Sequence, residues 1–152
     1  MKHTLRTAVI AALAFALGLL VAWSPAAVRA AAAPLLPQVI DLAAVTPDSL
    51  PPASPTTPNL RSKTLVVTDG ATMAVQMGTV FKHYHADANE IQVVLGGSGT
   101  EWLGDKEVAL SPGTMLIIPK GTTHGGLTDS GGLKLLSVKT PPQAPTDTHP
   151  LP

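Results

Sequence analysis

The sequence predicts an all-β domain, an antiparallel sandwich or small barrel, and three observations predict it. Short apolar runs alternate with turn residues across residues 60–140, at the spacing of paired strands. Only Pro112 and Pro119 fall in that stretch, although the chain has 15 prolines. No segment between the runs is long enough for the crossover helix that parallel strands need.

The elements follow in order. Leu65-Val66-Val67 ends at the turn pair Asp69-Gly70. Met73, Val75 and Met77 recur at period two, the spacing that puts side chains on one face of a strand. This places Met73 and Met77, with Met115 further on, in the barrel interior as an apolar wall. Ile91 to Leu95 runs into Gly96-Gly97-Ser98-Gly99, a hairpin turn. Trp102-Leu103 turns at Gly104-Asp105 into Val108-Ala109-Leu110. Ser111-Pro112-Gly113 precedes the run Met115–Ile118, and Asp129-Ser130-Gly131-Gly132 precedes the last run, residues 133–138. Seven or so strands result.

Composition narrows the chemistry. A length of 152 residues allows one domain with tails. Aromatic residues make up only 3%, so a core must come from Val, Leu, Ile and Met. Ten Lys+Arg balance ten Asp+Glu, which is no footprint for nucleic acid. The absence of cysteine excludes disulfides, thiolate catalysis and Cys-ligated metal sites.

The chain divides into four parts. Lys2 and Arg6 precede an uncharged stretch, residues 7–28, and small residues follow through Ala33. This is the order of a secretory signal, expected to cover residues 1–30 and to direct the protein to the periplasm or outside the cell. The stretch is also long enough for a membrane anchor. Pro25 and the alanine run favour cleavage. Residues 31–59 hold seven prolines and read as an arm or linker, with Val39-Ile40-Asp41-Leu42 apolar enough to dock. Residues 60–140 are the folded domain. Residues 141–152 hold five prolines and are expected to be disordered.

The chemistry-bearing residues cluster in the domain. His83 and His85 are two apart, so on a strand their imidazoles share a face, with Tyr84 opposite in a packing role. Glu90 opens the next apolar run, and His124 follows Pro119-Lys120-Gly121. Imidazoles and a carboxylate suit iron, manganese, nickel, copper or zinc. The same residues also fit a solvated strand end with a surface charge.

The frame around them is more specific. Gly78, four residues, His83-Tyr84-His85, four residues, Glu90, six residues and Gly97 resemble the first motif of the cupin superfamily. Gly113, five residues, Pro119-Lys120-Gly121, two residues and His124 resemble the second. The 15 residues between the motifs match the spacing of small single-domain cupins. The resemblance covers residues 60–140. It implies an antiparallel β-barrel of the double-stranded β-helix, jelly-roll type, open at one mouth. It also implies one divalent transition metal ion held by His83, His85, Glu90 and His124, the first three from one hairpin and the last from the facing sheet. Gly78, Gly97, Gly113, Pro119 and Gly121 would be the turn framework. There are two departures: Gly78 lies five rather than six residues before His83, and Thr128 stands where the family's second motif ends in asparagine.

Other residues carry weaker signals. Gln92 reads first as a surface residue, although two after Glu90 it reaches inside if the strand stays regular. Lys82 reads as surface, Trp102 as core or dimer contact, and His149 as a bystander in the tail. Ser98 stands in no Gly-x-Ser-x-Gly elbow, and no helix follows its glycines to make a phosphate loop. No second acid or base accompanies the four ligands. The expected function is therefore an exported metal-dependent enzyme, dioxygenase-type, acting on a small oxygenated or organic-acid molecule. The alternative is a non-catalytic module that binds or senses a small molecule. The expected partners are that molecule and a second copy in a homodimer. No nucleic acid is expected, and membrane contact only through the signal.

Overall fold

The protein's structure, a computed structural model, describes residues 34–151. The expected export signal lies outside these residues. Ten antiparallel strands form two five-stranded sheets. The first sheet runs β1 (Leu60–Val67), β2 (Thr72–Gly78), β9 (Lys134–Thr140), β4 (Asn89–Gly96), β7 (Met115–Ile118). The second runs β10 (His149–Pro150), β3 (His83–Tyr84), β8 (His124–Asp129), β5 (Gly99–Leu103), β6 (Lys106–Leu110). Strands distant in sequence lie side by side in both, as in a jelly roll. The expected all-β architecture is the observed one. Among the described residues, the only helical piece is a 3-10 turn, Pro47–Ser49. Strands β3, β8 and β10 lie outside the expected set: two are only two residues long, and β8 contains Gly125-Gly126, which read as a turn signal in sequence.

The alternation of β4 sets the interior. Glu90, Gln92 and Val94 are buried, while Ile91 and Val93 turn the other way. Opposite them on β9 stand Lys139, Ser137 and Leu135. The inner face of the sheet is thus polar at one end and apolar at the other. The apolar end continues through Leu116 and Ile118 of β7 and meets Leu110 and Leu127 from the second sheet. Each such side chain contributes roughly 1.5–3 kcal/mol when fully buried. This core holds the two sheets together and leaves the other end for chemistry.

The methionines are not in that interior. Met73 pairs with Val138, which pairs in turn with Ile91, so the Met73–Met77 row lies on the outer face of the sheet. Val75 and Met77 are nevertheless buried there, Met77 sharing a pocket wall with Val45 and Pro47 of the arm. Met115 alternates with buried Leu116 and is 60% exposed. The period of two holds, but in a strand with apolar residues on both faces it does not say which face is inside.

Gly97 shows why the turn framework is glycine. Its φ is +76°, and a Cβ there would lie 2.4 Å from the Gly132 carbonyl oxygen. Gly78, Gly113 and Gly121 also have positive φ.

The tail corrects the expectation of disorder. Residues 149–150 form β10 against β3, the Leu151 N–H donates to the Lys82 carbonyl, and Asp147 is only 3% exposed. Proline count signals a lack of backbone donors. It does not register the side-chain anchors that hold this segment. The arm is tied differently: Lys134 Nζ donates to the carbonyl oxygens of Leu42, Ala43 and Val45.

Candidate metal centre

The polar end of the interior brings together all four expected ligands. His83, His85, Glu90 and His124 are buried, and one donor atom from each lies within 4.8 Å of the others. The strands deliver them in a way the family resemblance did not imply. His83 and His124 are direct cross-strand partners on β3 and β8 of one sheet, with ring centroids 4.3 Å apart. Glu90 comes from the facing sheet, and His85 from the loop between. Cross-strand neighbours are the closest pairs a sheet offers, which is why two imidazoles meet there.

Each histidine presents the same edge. Nδ1 of His83 donates to the Phe81 carbonyl at 2.9 Å, and Nδ1 of His124 to the Thr122 carbonyl at 3.0 Å. Nδ1 of His85 donates to the Asp147 carbonyl. Such bonds fix the tautomer and leave Nε2 with its lone pair free, the arrangement of metal-binding histidines. The Nε2 atoms of His85 and His124 both lie 3.1 Å from Glu90 Oε2. With the rings neutral and their single N–H at Nδ1, as ligation requires, each Nε2 lone pair would face a carboxylate lone pair. A cation among these atoms resolves the conflict for both rings at once. The donor set therefore fits a divalent transition metal ion.

The electrostatics agree. Burial, aided by the nearby His124, pushes His83 down to about 4, so it stays neutral as a ligand must. Burial alone would raise Glu90, but bonds from His124 and His85 and the Lys139 charge outweigh it and hold the carboxyl well below its ordinary range. His124 differs: burial opposes its charge, yet a bond to Glu90 raises it overall, so without an ion its Nε2 tends to hold the proton that a metal would displace. Ser137 Oγ donates to Glu90 Oε1 at 2.6 Å, and Gln92 Nε2 lies 3.3 Å from the same oxygen.

Three participants were missed in the sequence. Glu101 of β5 is fully buried, and burial pushes its carboxyl up to about 7. Its Oε1 accepts from the Gly125 N–H at 3.1 Å and from Gln92 Nε2 at 3.4 Å, while Oε2 has no hydrogen-bond partner among the described residues. This carboxyl lies one amide away from Glu90, through Gln92. A bulge between Thr100 and Trp102 accompanies this placement, an irregularity no simple alternation rule would anticipate. Lys139 Nζ donates to His85 Nε2 at 3.0 Å and lies 3.5 Å from Glu90 Oε2. Asp147, from the tail, accepts the N–H groups of Ala86, Asp87 and Ala88, and these bonds hold its carboxyl below the ordinary range against the small opposing effect of burial. It caps the loop that carries His85 to Glu90.

The remaining residues fall as follows. Gln92 faces inward and is buried. Tyr84 points away from the ligands, as expected, and stacks on His149 at 4.8 Å. His149 lies 3.4 Å from Asp147 Oδ1, so it is no bystander. Lys82 Nζ sits 3.3 Å above the Trp102 ring, so Lys82 packs against an aromatic face. The centre opens to a pocket of about 290 Å³ on whose wall His83, Glu90, Gln92 and Lys139 all appear.

Comparison with known proteins agrees with the geometry. The family profile described as a cupin domain matches residues 71–139. No curated protein sequence matches. Among solved structures, KdgF from Halomonas sp. superposes with a TM-score of 0.52 at 20% identity, covering 58% of this chain and 84% of its own. A variant of PAC13 from Streptomyces, solved with uridine, gives 0.57 at 14%, covering 70% and 88%. The TT1209 protein from Thermus thermophilus gives 0.55 at 19%, covering 68% and 97%. At these identities the likeness is one of fold. Profile, fold and the two glycine-framed motifs converge on one assignment: the chain carries a cupin domain over residues 71–139.

Proposed function

We propose that this protein is an exported metal-dependent enzyme acting on a small oxygenated organic molecule. The observation that carries the reading is the buried cluster of three imidazoles and one carboxylate beside a polar pocket. A divalent ion held there would act as a Lewis acid toward an oxygen of the bound molecule. Dioxygenase-type chemistry was expected because the site offered no other acid or base. Lys139, on the pocket wall, weakens that premise, so proton transfer at a polarised substrate oxygen stands beside it as a second chemistry. Around it, Gln92 and Ser137 orient Glu90, and Glu101 holds a proton near neutral pH. PAC13, a fold neighbour described as a nucleoside dehydratase, supports the view that such a barrel serves small polar molecules.

Elemental analysis tests the site. His83→Ala and His124→Ala should each lose most bound metal while keeping the β-sheet signal. Retention of full stoichiometric metal by both would refute the site. Oxygen-uptake and product assays on metal-loaded protein then separate the chemistries. Oxygen consumption would support the oxygenase reading, and tight binding without product would favour the non-catalytic module. Export is supported by the basic, apolar, small order of residues 1–33, and mass spectrometry should find a chain beginning near Ala31. A homodimer is supported by the exposed Met115 and Ile117 on edge strand β7.

A further inference from the structure

The wall of the metal pocket carries one ammonium group, and among the described residues its carboxylate partner is Glu90, the group that would also hold the ion. Lys139 Nζ touches three acceptors: His85 Nε2, Glu90 Oε2 and Gln143 Oε1. The first two are the atoms that would face an ion. With the ion in place, the neutral amide oxygen of Gln143 is what remains. The other nearby acids do not answer the charge. Asp147 is engaged by three backbone N–H groups, and burial keeps Glu101 from ionising below about 7. A divalent ion opposed only by Glu90 already leaves an excess of positive charge, and Lys139 adds to it.

The rest of the wall is rich in hydroxyls and amides. Ser54, Thr56, Thr57, Ser62 and Thr148 line it, with Gln76 and Gln143. At about 290 Å³ the pocket lies at the small end for ligand sites. Its chemistry calls for a compact molecule with one anionic end and several hydroxyls.

We propose that Lys139 is the specificity residue of the pocket and that it binds the carboxylate of a small hydroxy acid. The hydroxyls of that acid face the Ser and Thr wall. This rests on the metal-pocket reading above and narrows its substrate class. An ammonium–carboxylate bond in a partly desolvated pocket is a charge-assisted hydrogen bond, stronger than a neutral one. Lys139 is 13% exposed, so solvent screens it only weakly.

Titration calorimetry with matched probes tests it. Glycerate and gluconate are compared with glycerol and glucitol, the same carbon chains without the carboxylate. The full-length protein is used, and its metal content is measured in the same samples. The acids should bind at least about tenfold more tightly than the alcohols. Lys139→Met should weaken acid binding by about 10- to 100-fold relative to the alcohols, compared at equal metal occupancy because Lys139 touches His85 and Glu90. Lys139→Arg, which keeps a cation, should retain part of the preference. Equal binding of acids and alcohols, unchanged acid binding in Lys139→Met, or no binding of any probe by metal-loaded protein would each overturn the assignment. Acid binding that depends on Lys139 in protein holding no metal would keep this assignment and refute the metal reading instead.

Discussion

The arm and the tail are both proline-rich and both run over the same barrel, yet they are held in opposite ways. In the first part of the arm, residues 34–46, the barrel grips the backbone: Lys134 reaches three carbonyl oxygens, and Leu35, Leu36 and Val39 stay exposed, Val39 at 99%, the first deeply buried arm side chain being Leu50. In the tail, side chains grip the barrel. Asp147 caps three N–H groups of the ligand loop, and His149 stacks on Tyr84. Carbonyl oxygens are common to all residues, so the first mode tolerates almost any sequence. The second requires particular residues at particular places. The second reaches a ligand itself, because the Asp147 carbonyl also orients His85, whereas the arm's Ser54, Thr56 and Thr57 line only the pocket wall.

Deleting each segment is the strongest way to break this contrast. Loss of residues 141–151 should weaken metal binding about 10- to 100-fold, the usual consequence of removing an outer partner of a ligand. Loss of residues 34–46 should leave metal affinity within about twofold on the same scale. Equal losses in a metal titration would show that the two segments do not differ in kind.

Asp147→Ala sharpens the point without truncation. Three backbone N–H groups lose their acceptor, at a cost of about 1–3 kcal/mol. Hydrogen exchange at residues 86–88 should accelerate, and exchange in the arm should not.

Acid should separate the segments too. The folded state holds the Asp147 carboxyl below its ordinary value of 3.8, so the stability it contributes is present above that pH. It is lost as pH falls through the lower folded value. The carbonyl oxygens that anchor the arm do not titrate. Resonances of residues 147–151 should therefore change in acid before those of residues 42–46, and the reverse order would contradict the contrast.

Smaller effects come from the remaining anchors. Lys134→Met should expose residues 34–46 to protease at a cost of about 1 kcal/mol, with metal affinity unchanged. His149→Ala should cost about 0.5 kcal/mol through the lost stack on Tyr84, measurable as a small shift in the thermal midpoint.

Much of the site was legible because its constraints are local. His83 and His85 share a face by the pleat of a strand, and the glycines that frame them mark turns that need positive φ. What could not be read depends on distant or irregular contacts. The inward placement of Glu101 goes with a bulge, and Lys139 meets the centre only through the pairing of β4 with β9. Asp147 lies among prolines, where composition says disorder and one buried carboxylate says the opposite. The methionine row shows the complementary limit, since alternation gives a face but not its direction.

The bond between His85 and the Asp147 carbonyl joins residues 62 positions apart. It therefore imposes an order on the birth of the site. A chain emerging from its N-terminal side has all four ligands once His124 is out, but His85 lacks its orienting partner until residue 147 follows. Early capture would find a loose third imidazole, free to choose either nitrogen. The finished geometry belongs to the whole chain, so the compartment in which the chain completes its folding is the one whose metal supply fills it.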